Sequence, residues 1–237
     1  MTLASAKEYL SRVLPWPEEG QPSSFCNIHW TFQSEKFDRP GWGGRAVRTV
    51  DEAIKVLEFA LKNQSTKDIY ACLSSQALAT PKTTKSGWTY NEPQRTQKNA
   101  VALKSIFLDI DCKDEKGYAN QKDAIAALAA FIEKSKMPRP TLVVSSGNGL
   151  HVYWTVDKPL PPDEWKRRAV ALAEATKQLG LKADTQCTID AARILRVPDT
   201  FNRKGKDPRP VRLVGSRVDR DYTIEELDVA LTPFMSA

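Results

Sequence analysis

Two aspartates stand two residues apart in a segment whose other side chains are apolar. Residues 106–111 read IFLDID. Successive side chains of a β-strand point to opposite faces, so Asp109 and Asp111 share a face, with Cα atoms about 7 Å apart. Carboxylates at that spacing can hold the same divalent ions, which would offset their mutual repulsion. The alternative is an edge strand that exposes both acids to water.

A glycine-rich turn with a histidine follows downstream. Residues 145–154 read SSGNGLHVYW. Gly147 and Gly149 allow positive φ and would expose amide hydrogens to an anion. His151 begins the next strand and shares a face with Tyr153, so one face of that strand is polar. Each feature alone is usually structural, but together, beside the aspartate pair, they favour a triphosphate cradle.

A third acidic segment leads into a run of basic residues. Residues 182–204 read KADTQCTIDAARILRVPDTFNRK, in which two acids precede Arg193, Arg196, Asn202, Arg203 and Lys204. The acids are Asp184 and Asp190, and either suits a metal site beside a nucleotide phosphate or a template backbone. Arg193 and Arg196 would share a side in a helix and lie on opposite sides in a strand. The alternative is a basic loop with a structural Arg–Asp pair.

The net charge of +6 is concentrated in one region. Residues 193–220 hold nine Lys and Arg against three Asp, so the rest of the chain sums to zero. This region is either a phosphate-binding surface or a solvated loop. A second stretch, 79–99, carries four basic residues and one acid around Trp88 and Tyr90, and bases stack on such rings. Its two prolines and weak apolar periodicity predict a long loop.

The elements that would position these residues mix helix and strand without regular alternation. Capping boxes predict helices at 50–62, from Thr49 with Glu52, and from Thr223 with Glu226 to about residue 231. Apolar periodicity predicts further elements, which are helices at 121–136 and 163–179 and strands at 68–73, 105–112, 141–145, 150–156 and 211–214. The sequence therefore predicts an α+β fold in one globular unit, 1–237, with an N-terminal lobe to about residue 100 and a second lobe over 101–237.

Composition narrows the class of protein. A chain of 237 residues with 41% hydrophobic and 27% charged residues can bury a core, which excludes disordered and fibrous proteins. Its longest run without a polar residue, 124–132, is far shorter than the about 20 residues that cross a bilayer. The N-terminus has no basic and apolar leader, so we expect a cytoplasmic protein without membrane contact. A zinc site at Cys26 and His29 would lack an evident second ligand pair.

In this order, the three segments resemble the motifs of the archaeo-eukaryotic primase superfamily, and more specifically the primase-polymerases of plasmids, phages and mobile elements. The resemblance spans about residues 104–214. The first motif matches Asp109 and Asp111. The second motif matches Ser146, Gly147, Gly149 and His151. The third acidic motif falls at Asp190, with Asp184 as the alternative, and the RILRVPDTFNRK tail follows.

This resemblance implies a sheet of the RNA-recognition-motif type that carries the acids, with an N-terminal α/β lobe packed on it. It implies template-directed nucleotidyl transfer on single-stranded DNA, with two Mg²⁺ or Mn²⁺ ions held by the three acids. The residues implied at the incoming dNTP or rNTP, or at the template, are Ser146, His151, Arg193, Arg196, Asn202 and Lys204. Asp199 stands where relatives usually carry Gly, so that turn is expected to differ. The sequence leaves open the choice between priming and extension, and any helicase domain or partner.

Two other classes of protein compete with this interpretation. One is a metal-dependent replication-initiation nuclease, of which a relaxase type would show a His-hydrophobic-His pair. His29 and His151 are far apart and form no such pair. The other is a catalytically silent single-stranded DNA-binding module, which the intact acids at all three motifs disfavour.

Overall fold

A computed structural model describes residues 2–17, 24–34, 39–112, 117–215 and 217–235. The strands in this part of the chain are β1 (Cys26–Phe32), β2 (Gly41–Val47), β3 (Thr66–Cys72), β4 (Ser74–Gln76), β5 (Ala79–Thr83), β6 (Thr89–Pro93), β7 (Ala100–Asp111), β8 (Leu142–Ser145), β9 (Gly149–Leu160), β10 (Ile194–Arg196), β11 (Thr200–Asn202) and β12 (Arg209–Val214). The helices are α1 (Ala4–Val13), α2 (Val50–Lys62), α3 (Gln121–Ser135), α4 (Pro162–Leu179), α5 (Thr185–Thr188) and α6 (Ile224–Leu231).

The first sheet has four strands in the order β10-β3-β1-β2. All three of its ladders are antiparallel. Helix α2 packs on β1 and β3. Strand β10 comes directly after the third acidic segment, and its pairing with β3 joins this C-terminal part of the chain to the N-terminal sheet.

The second sheet has six strands in the order β11-β12-β8-β9-β7-β4. Its two longest strands, β7 and β9, lie side by side near the middle, and most of their apolar side chains are buried, although Val101 is 42% exposed. Helix α4 packs on β7, where the fully buried ring of Trp165 stacks on Phe107 with centroids 5.8 Å apart. The Trp165 Nε1–H donates to the Ser105 carbonyl at 2.9 Å. Burial of each such ring contributes roughly 1.5–3 kcal/mol, so this contact anchors the strand that carries the aspartates.

Helix ends follow the local signals in the sequence. Thr49 accepts a hydrogen bond from the Glu52 amide at 3.2 Å, and α2 begins at the predicted residue. The Glu52 carboxylate, however, accepts from the Arg48 amide at 2.8 Å, one residue before the expected partner. At α6 both bonds of the box between Thr223 and Glu226 are present.

The long loop predicted at 79–99 is wrong in part. Strands β5 and β6 form a separate antiparallel hairpin, in which Thr80 pairs with Glu92 and Lys82 with Tyr90. The hairpin is largely exposed, so its strands lack the apolar alternation that marks a buried strand. Pro81 and Pro93 fit because a two-stranded hairpin consists only of edge strands.

The α+β class and the predicted strands and helices are confirmed within a few residues of their predicted ends. Asp199, at the position where a glycine was expected, has φ of +61°, a region that Gly prefers and that Asp tolerates better than most residues. Its carboxylate accepts a hydrogen bond from the Ala6 amide at 3.0 Å, which joins this turn to α1. No helix in the described ranges is long and apolar enough to cross a bilayer.

Candidate active site

The register between β7 and β9 brings the first two motifs together. Asp109 lies opposite His151, and Asp111 lies opposite Gly149. Residues directly opposite each other in an antiparallel pair point to the same face, so His151 stands beside the carboxylate face. The His151 Nε2 atom is 3.8 Å from Asp109 Oδ1. Both side chains lie at the end of the sheet where the β8–β9 turn closes.

The third acid that reaches this face is Asp184. Its amide donates to the Asp109 carbonyl at 2.8 Å, which fixes the start of α5 alongside β7. Asp184 also caps α5 by accepting from the Cys187 amide at 3.0 Å. The Arg193 Nη2 atom lies 3.5 Å from Asp109 Oδ2 and 3.8 Å from Asp184 Oδ2, so one guanidinium bridges two carboxylates.

Asp190, the first choice from the sequence, is directed elsewhere. Its Oδ1 accepts from Gln97 Nε2 at 2.9 Å and from the Ala192 amide at 3.0 Å. These bonds hold the turn before β10, and Asp190 does not line the cavity that Asp109 lines. The geometry therefore favours the alternative acid, Asp184.

One cavity of about 140 Å³ collects most of the predicted site residues. It is lined by Tyr70, Asp109, Asp111, Ser146, Asn148, His151, Asp184, Arg193, Ile194, Leu195, Arg196, Asn202 and Lys204. Three acids and three basic side chains thus face one small space, whose lining is mostly polar. Such a mixture suits a ligand that carries negative phosphate and bound cations together.

Glycine is required at positions 147 and 149 of the turn for two different reasons. Gly147 has φ of +86°, as expected, and a Cβ there would come within 2.9 Å of the Arg209 Cβ. The expectation of positive φ is wrong for Gly149, which lies in the strand. A Cβ at Gly149 would lie 2.2 Å from the Ile110 carbonyl oxygen, so glycine is required by the close approach of β7.

Asn202 and Arg196 are held by partners within the protein. Asn202 Nδ2 donates to the Ser146 carbonyl at 2.8 Å and ties β11 to the glycine turn. Arg196 is 8% exposed, and its Nε donates to Asp68 Oδ1 at 3.0 Å. Its Nη2 donates to the Tyr70 hydroxyl at 3.3 Å. Arg196 therefore presents a fixed positive charge to the cavity.

Tyr70 lies outside the three sequence segments that supply the other cavity residues. It lies on β3 and pairs with Arg196 of β10, which is the contact that carries it to the site. The alternation of residues 68–73 puts Asp68 and Tyr70 on one face, which is a signal of a polar face but not of its location. Only the pairing of β3 with β10 shows that this face borders the acids.

Burial sets the protonation of the two central groups. Burial raises the pKa of Asp109, while the Arg193 guanidinium acts against that shift. Burial, with the positive charges of Arg196 and Arg193, lowers the pKa of His151 to about 3. His151 is thus neutral at pH 7, and its buried Nδ1 has no hydrogen-bond partner among the residues that the structure describes. An unpaired buried nitrogen is costly, so this atom is suited to a ligand.

Most basic residues of 193–220 either line a cavity beside the site or pair with an acid. Lys204, Lys206 and Arg209 line a second cavity of about 480 Å³, and Arg209 and Arg212 line a third of about 500 Å³. Asn148 lines all three cavities, so they adjoin each other at the glycine turn. Four basic residues of this region pair with acids. They are Arg193, with Asp109 and Asp184, Arg196, with Asp68, Arg217, with Glu8, and Arg220, with Glu226.

No family model matches this chain. A curated "Replication protein" of Clostridium perfringens is 33% identical over 134 residues, which cover 50% of this chain. The match spans only 28% of the length of that relative. The N190 primase-polymerase domain of cyanophage S-2L superposes with a TM-score of 0.58 at 13% identity, over 96% of this chain and 97% of that domain.

A second solved structure, the primase RepB′, superposes with a TM-score of 0.56 at 12% identity, over 98% of this chain and 63% of RepB′. The RepB′ catalytic domain solved in complex with initiator DNA gives a TM-score of 0.53 at 12% identity, over 98% of this chain and 94% of that domain. The chain has the primase-polymerase fold. The expected resemblance is therefore confirmed at the level of architecture.

The primase-polymerase fold implies divalent ions, and the donor set of the cavity fits them. Asp109, Asp111 and Asp184 offer carboxylate oxygens, the ligands that Mg²⁺ and Mn²⁺ favour. Within the described ranges, no three His, Cys, Asp or Glu side chains already stand in ligating geometry. Arg193 now supplies the positive charge between Asp109 and Asp184, so ions would enter in exchange for that guanidinium.

The zinc alternative has no support in this fold. Cys26 and His29 lie three residues apart on β1, so their side chains point to opposite faces. Cys26 Sγ is buried near the Pro15 carbonyl, at 3.7 Å. The two side chains cannot ligate one ion.

Proposed function

We propose that this chain is a template-directed nucleotidyl transferase that makes or extends primers on single-stranded DNA, for replication of a phage, plasmid or mobile element. One observation carries the proposal. A single cavity joins three carboxylates, a neutral histidine and three basic side chains in a chain with the primase-polymerase fold. The "Replication protein" relative supports the assignment to replication. The reaction would take place in the cytoplasm, where template and nucleotides are present.

The three acids have one shared task in this proposal. Asp109, Asp111 and Asp184 would hold two Mg²⁺ or Mn²⁺ ions, which, when bound, lower the barrier by activating the attacking hydroxyl and neutralising the triphosphate. The acids are held rigidly for this purpose. Asp109 and Asp111 are fixed by the β7–β9 ladder, and Asp184 is fixed by its own amide bond to Asp109.

The remaining cavity residues would position the nucleoside triphosphate. His151 Nδ1, which has no hydrogen-bond partner in the described part of the chain, would donate to a phosphate oxygen as the protonated nitrogen of the neutral ring. Arg193, released from the carboxylates, would follow the developing charge on the phosphates. Lys204 lines both the site cavity and the adjoining basic cavity, so it would meet the triphosphate or the template next to it. These groups provide positioning and electrostatic stabilisation.

The DNA strand would run along the basic cavities that adjoin the site. Lys206, Arg209 and Arg212 line these cavities, and none of the three pairs with an acid among the described residues, whereas Arg217 and Arg220 do. Phosphate contacts of this kind give sequence-independent affinity that falls with salt. We treat residues 1–237 as one catalytic unit with two lobes, since β10 pairs with β3 across the expected boundary near residue 100.

Incorporation of labelled dNTPs and rNTPs on single-stranded DNA tests this function, with and without a primer, in Mg²⁺ and in Mn²⁺. The expected result is a template-dependent product from the wild type and none from Asp109→Asn/Asp111→Asn. Unprimed reactions show whether the protein starts chains. Shortened template strands would instead identify a nuclease. Binding of DNA without any product would identify a silent binding module.

A further inference from the structure

Trp42 is exposed on the edge strand of the first sheet. Its side chain is 58% exposed, although water contact with an indole ring is unfavourable. Strand β2 pairs with β1 on one side, and Trp42 lies opposite Thr31 in that ladder. Tyr70 lies opposite His29 on the other side of β1. Because Thr31 and His29 are two residues apart, Trp42 and Tyr70 point to the same face.

The other face of β2 is filled by packing. A Cβ at Gly41 would lie 2.4 Å from the Phe32 ring, and one at Gly43 would lie 2.5 Å from the Trp30 ring. Those rings therefore lie flat against the glycine backbone. Trp42 is on the opposite face, so the packing of these rings does not require its indole. The exposed part of Trp42 is therefore open to a ligand.

The Trp42 indole contacts a residue that lines the candidate active site. Its ring lies against Tyr70, with centroids 5.9 Å apart and planes inclined by 34°. Tyr70 lines the cavity that holds Asp109 and accepts a hydrogen bond from Arg196. The Arg196 guanidinium also lies over the Tyr70 ring, 5.1 Å from its centroid, and is itself fixed by Asp68. Tyr70 is thus held firmly, and Trp42 extends its ring surface outward.

We propose that Trp42 and Tyr70 form a base-stacking track for the unpaired DNA strand where it enters the catalytic cavity. The inference rests on the proposed function and names the subsite that receives bases rather than phosphates. Two observations select this occupant. The ring surface is continuous with the cavity, and the cavities beyond are basic, as a strand with stacked bases and an anionic backbone requires.

A second aromatic pair serves as the internal comparison. Trp88 and Tyr90 of the β5–β6 hairpin stack with centroids 5.6 Å apart, and Trp88 is 53% exposed. The Arg45 guanidinium lies 3.5 Å from the Tyr90 centroid and 5.1 Å from the Trp88 centroid. Arg45 covers part of this ring surface, and neither residue lines the cavity that holds Asp109. We therefore place base stacking at Trp42 and Tyr70 rather than at this pair, for which the sequence had suggested it. Trp88 is therefore a matched control for an exposed tryptophan outside the track.

The test compares two labelled oligonucleotides of about 12 nucleotides, a length within the site sizes of about 4–16 nucleotides found for folds that bind single-stranded DNA. One is oligothymidylate, and the other has the same backbone with abasic sites in place of bases. Fluorescence anisotropy gives Kd for the wild type, Trp42→Ala, Trp42→Phe and Trp88→Ala. We expect Trp42→Ala to weaken oligothymidylate binding about tenfold and to leave abasic binding unchanged. Trp42→Phe restores most of the loss, and Trp88→Ala binds both like the wild type.

The other outcomes overturn the inference in distinguishable ways. Equal binding of oligothymidylate by Trp42→Ala and the wild type shows that Trp42 does not stack on bases. Equal losses on both oligonucleotides show that Trp42 acts on the backbone site or on the fold. A change of oligomeric state in Trp42→Ala, by analytical ultracentrifugation, shows that a second copy covers the ring. Absence of DNA binding by the wild type overturns the proposed function together with the track.

Discussion

Arg193 is expected to compete with divalent ions for the acidic site. Its guanidinium lies 3.5 Å from Asp109 and 3.8 Å from Asp184, where it offsets two negative charges. The change to test is Arg193→Met, which keeps the length of the side chain and removes its charge. Because the carboxylates then lack their cation, the ion-free protein loses stability. The loss of the guanidinium charge also makes binding of a divalent ion more favourable. Metal binding should therefore strengthen while catalysis declines.

The burial of the Arg193–Asp109 pair determines how much stability the substitution should remove. The side chains of Arg193 and Asp109 are 33% and 15% exposed, between a surface pair and a buried one. Exposed ion pairs contribute about 0–1 kcal/mol, whereas breaking a buried pair costs about 3–5 kcal/mol. We therefore expect Arg193→Met to lower the free energy of unfolding without metal by about 2 kcal/mol, which lowers Tm by about 4–8 °C for a domain of this size. Its Kd for Mn²⁺ should fall about tenfold, equivalent to about 1.4 kcal/mol.

Electron paramagnetic resonance of free Mn²⁺ gives Kd, and differential scanning calorimetry with and without Mn²⁺ gives the stability. Arg168→Met is the matched control, because Arg168 pairs with Asp228 at 2.7 Å, is also partly buried and does not line the cavity of the acids. The control should lose stability without a change in Mn²⁺ affinity. Weaker or unchanged Mn²⁺ binding by Arg193→Met would refute the competition between guanidinium and ion.

Two further predictions concern the fold around the site. Gly149→Ala should lower the free energy of unfolding, measured by urea titration, by about 2–3 kcal/mol, because its Cβ would meet the Ile110 carbonyl at 2.2 Å. Gly205→Ala, whose Cβ would have its nearest atom at 3.9 Å, should change this free energy little. A Gly149→Ala protein as stable as the wild type would contradict this packing. Burial, together with Arg95, lowers the pKa of His29 from 6.5 to about 4. Below pH 6.5 the unfolded chain therefore takes up a proton that the folded protein does not. The free energy of unfolding should be full above pH 6.5 and lower by about 2 kcal/mol at pH 5. Urea unfolding of His29→Gln between pH 5 and 8 should show a decline smaller by that amount, and an unchanged decline would refute it.

Local signals in the sequence located four of the six helices and five of the twelve strands in the described residues. Thr49 and Thr223 mark helix starts because the capping hydrogen bonds involve only the next three residues. The alternation around Asp109 placed both aspartates on one face for the same reason. The β5–β6 hairpin was missed, since exposed strands carry no apolar alternation.

The composition of the site depended on contacts between distant segments. Asp184 lies beside Asp109 through its amide bond to the Asp109 carbonyl, which joins positions 75 residues apart along the chain, whereas Asp190 does not line the same cavity. Tyr70 reaches the cavity only because β3 pairs with β10. Neither contact leaves a pattern in the local sequence. The basic region likewise divides by tertiary pairing, since Arg217 meets Glu8 from the other end of the chain.

Single-nucleotide extension on a primed template of defined sequence tests the central claim most directly. The comparison is the wild type against Asp184→Asn and Asp190→Asn, with each of the four nucleotides supplied alone. We predict that the wild type and Asp190→Asn add only the complementary nucleotide, while Asp184→Asn adds none. Addition by Asp184→Asn at the wild-type rate, or addition without regard to the template base, would contradict template-directed transfer by the cavity of Asp109, Asp111 and Asp184.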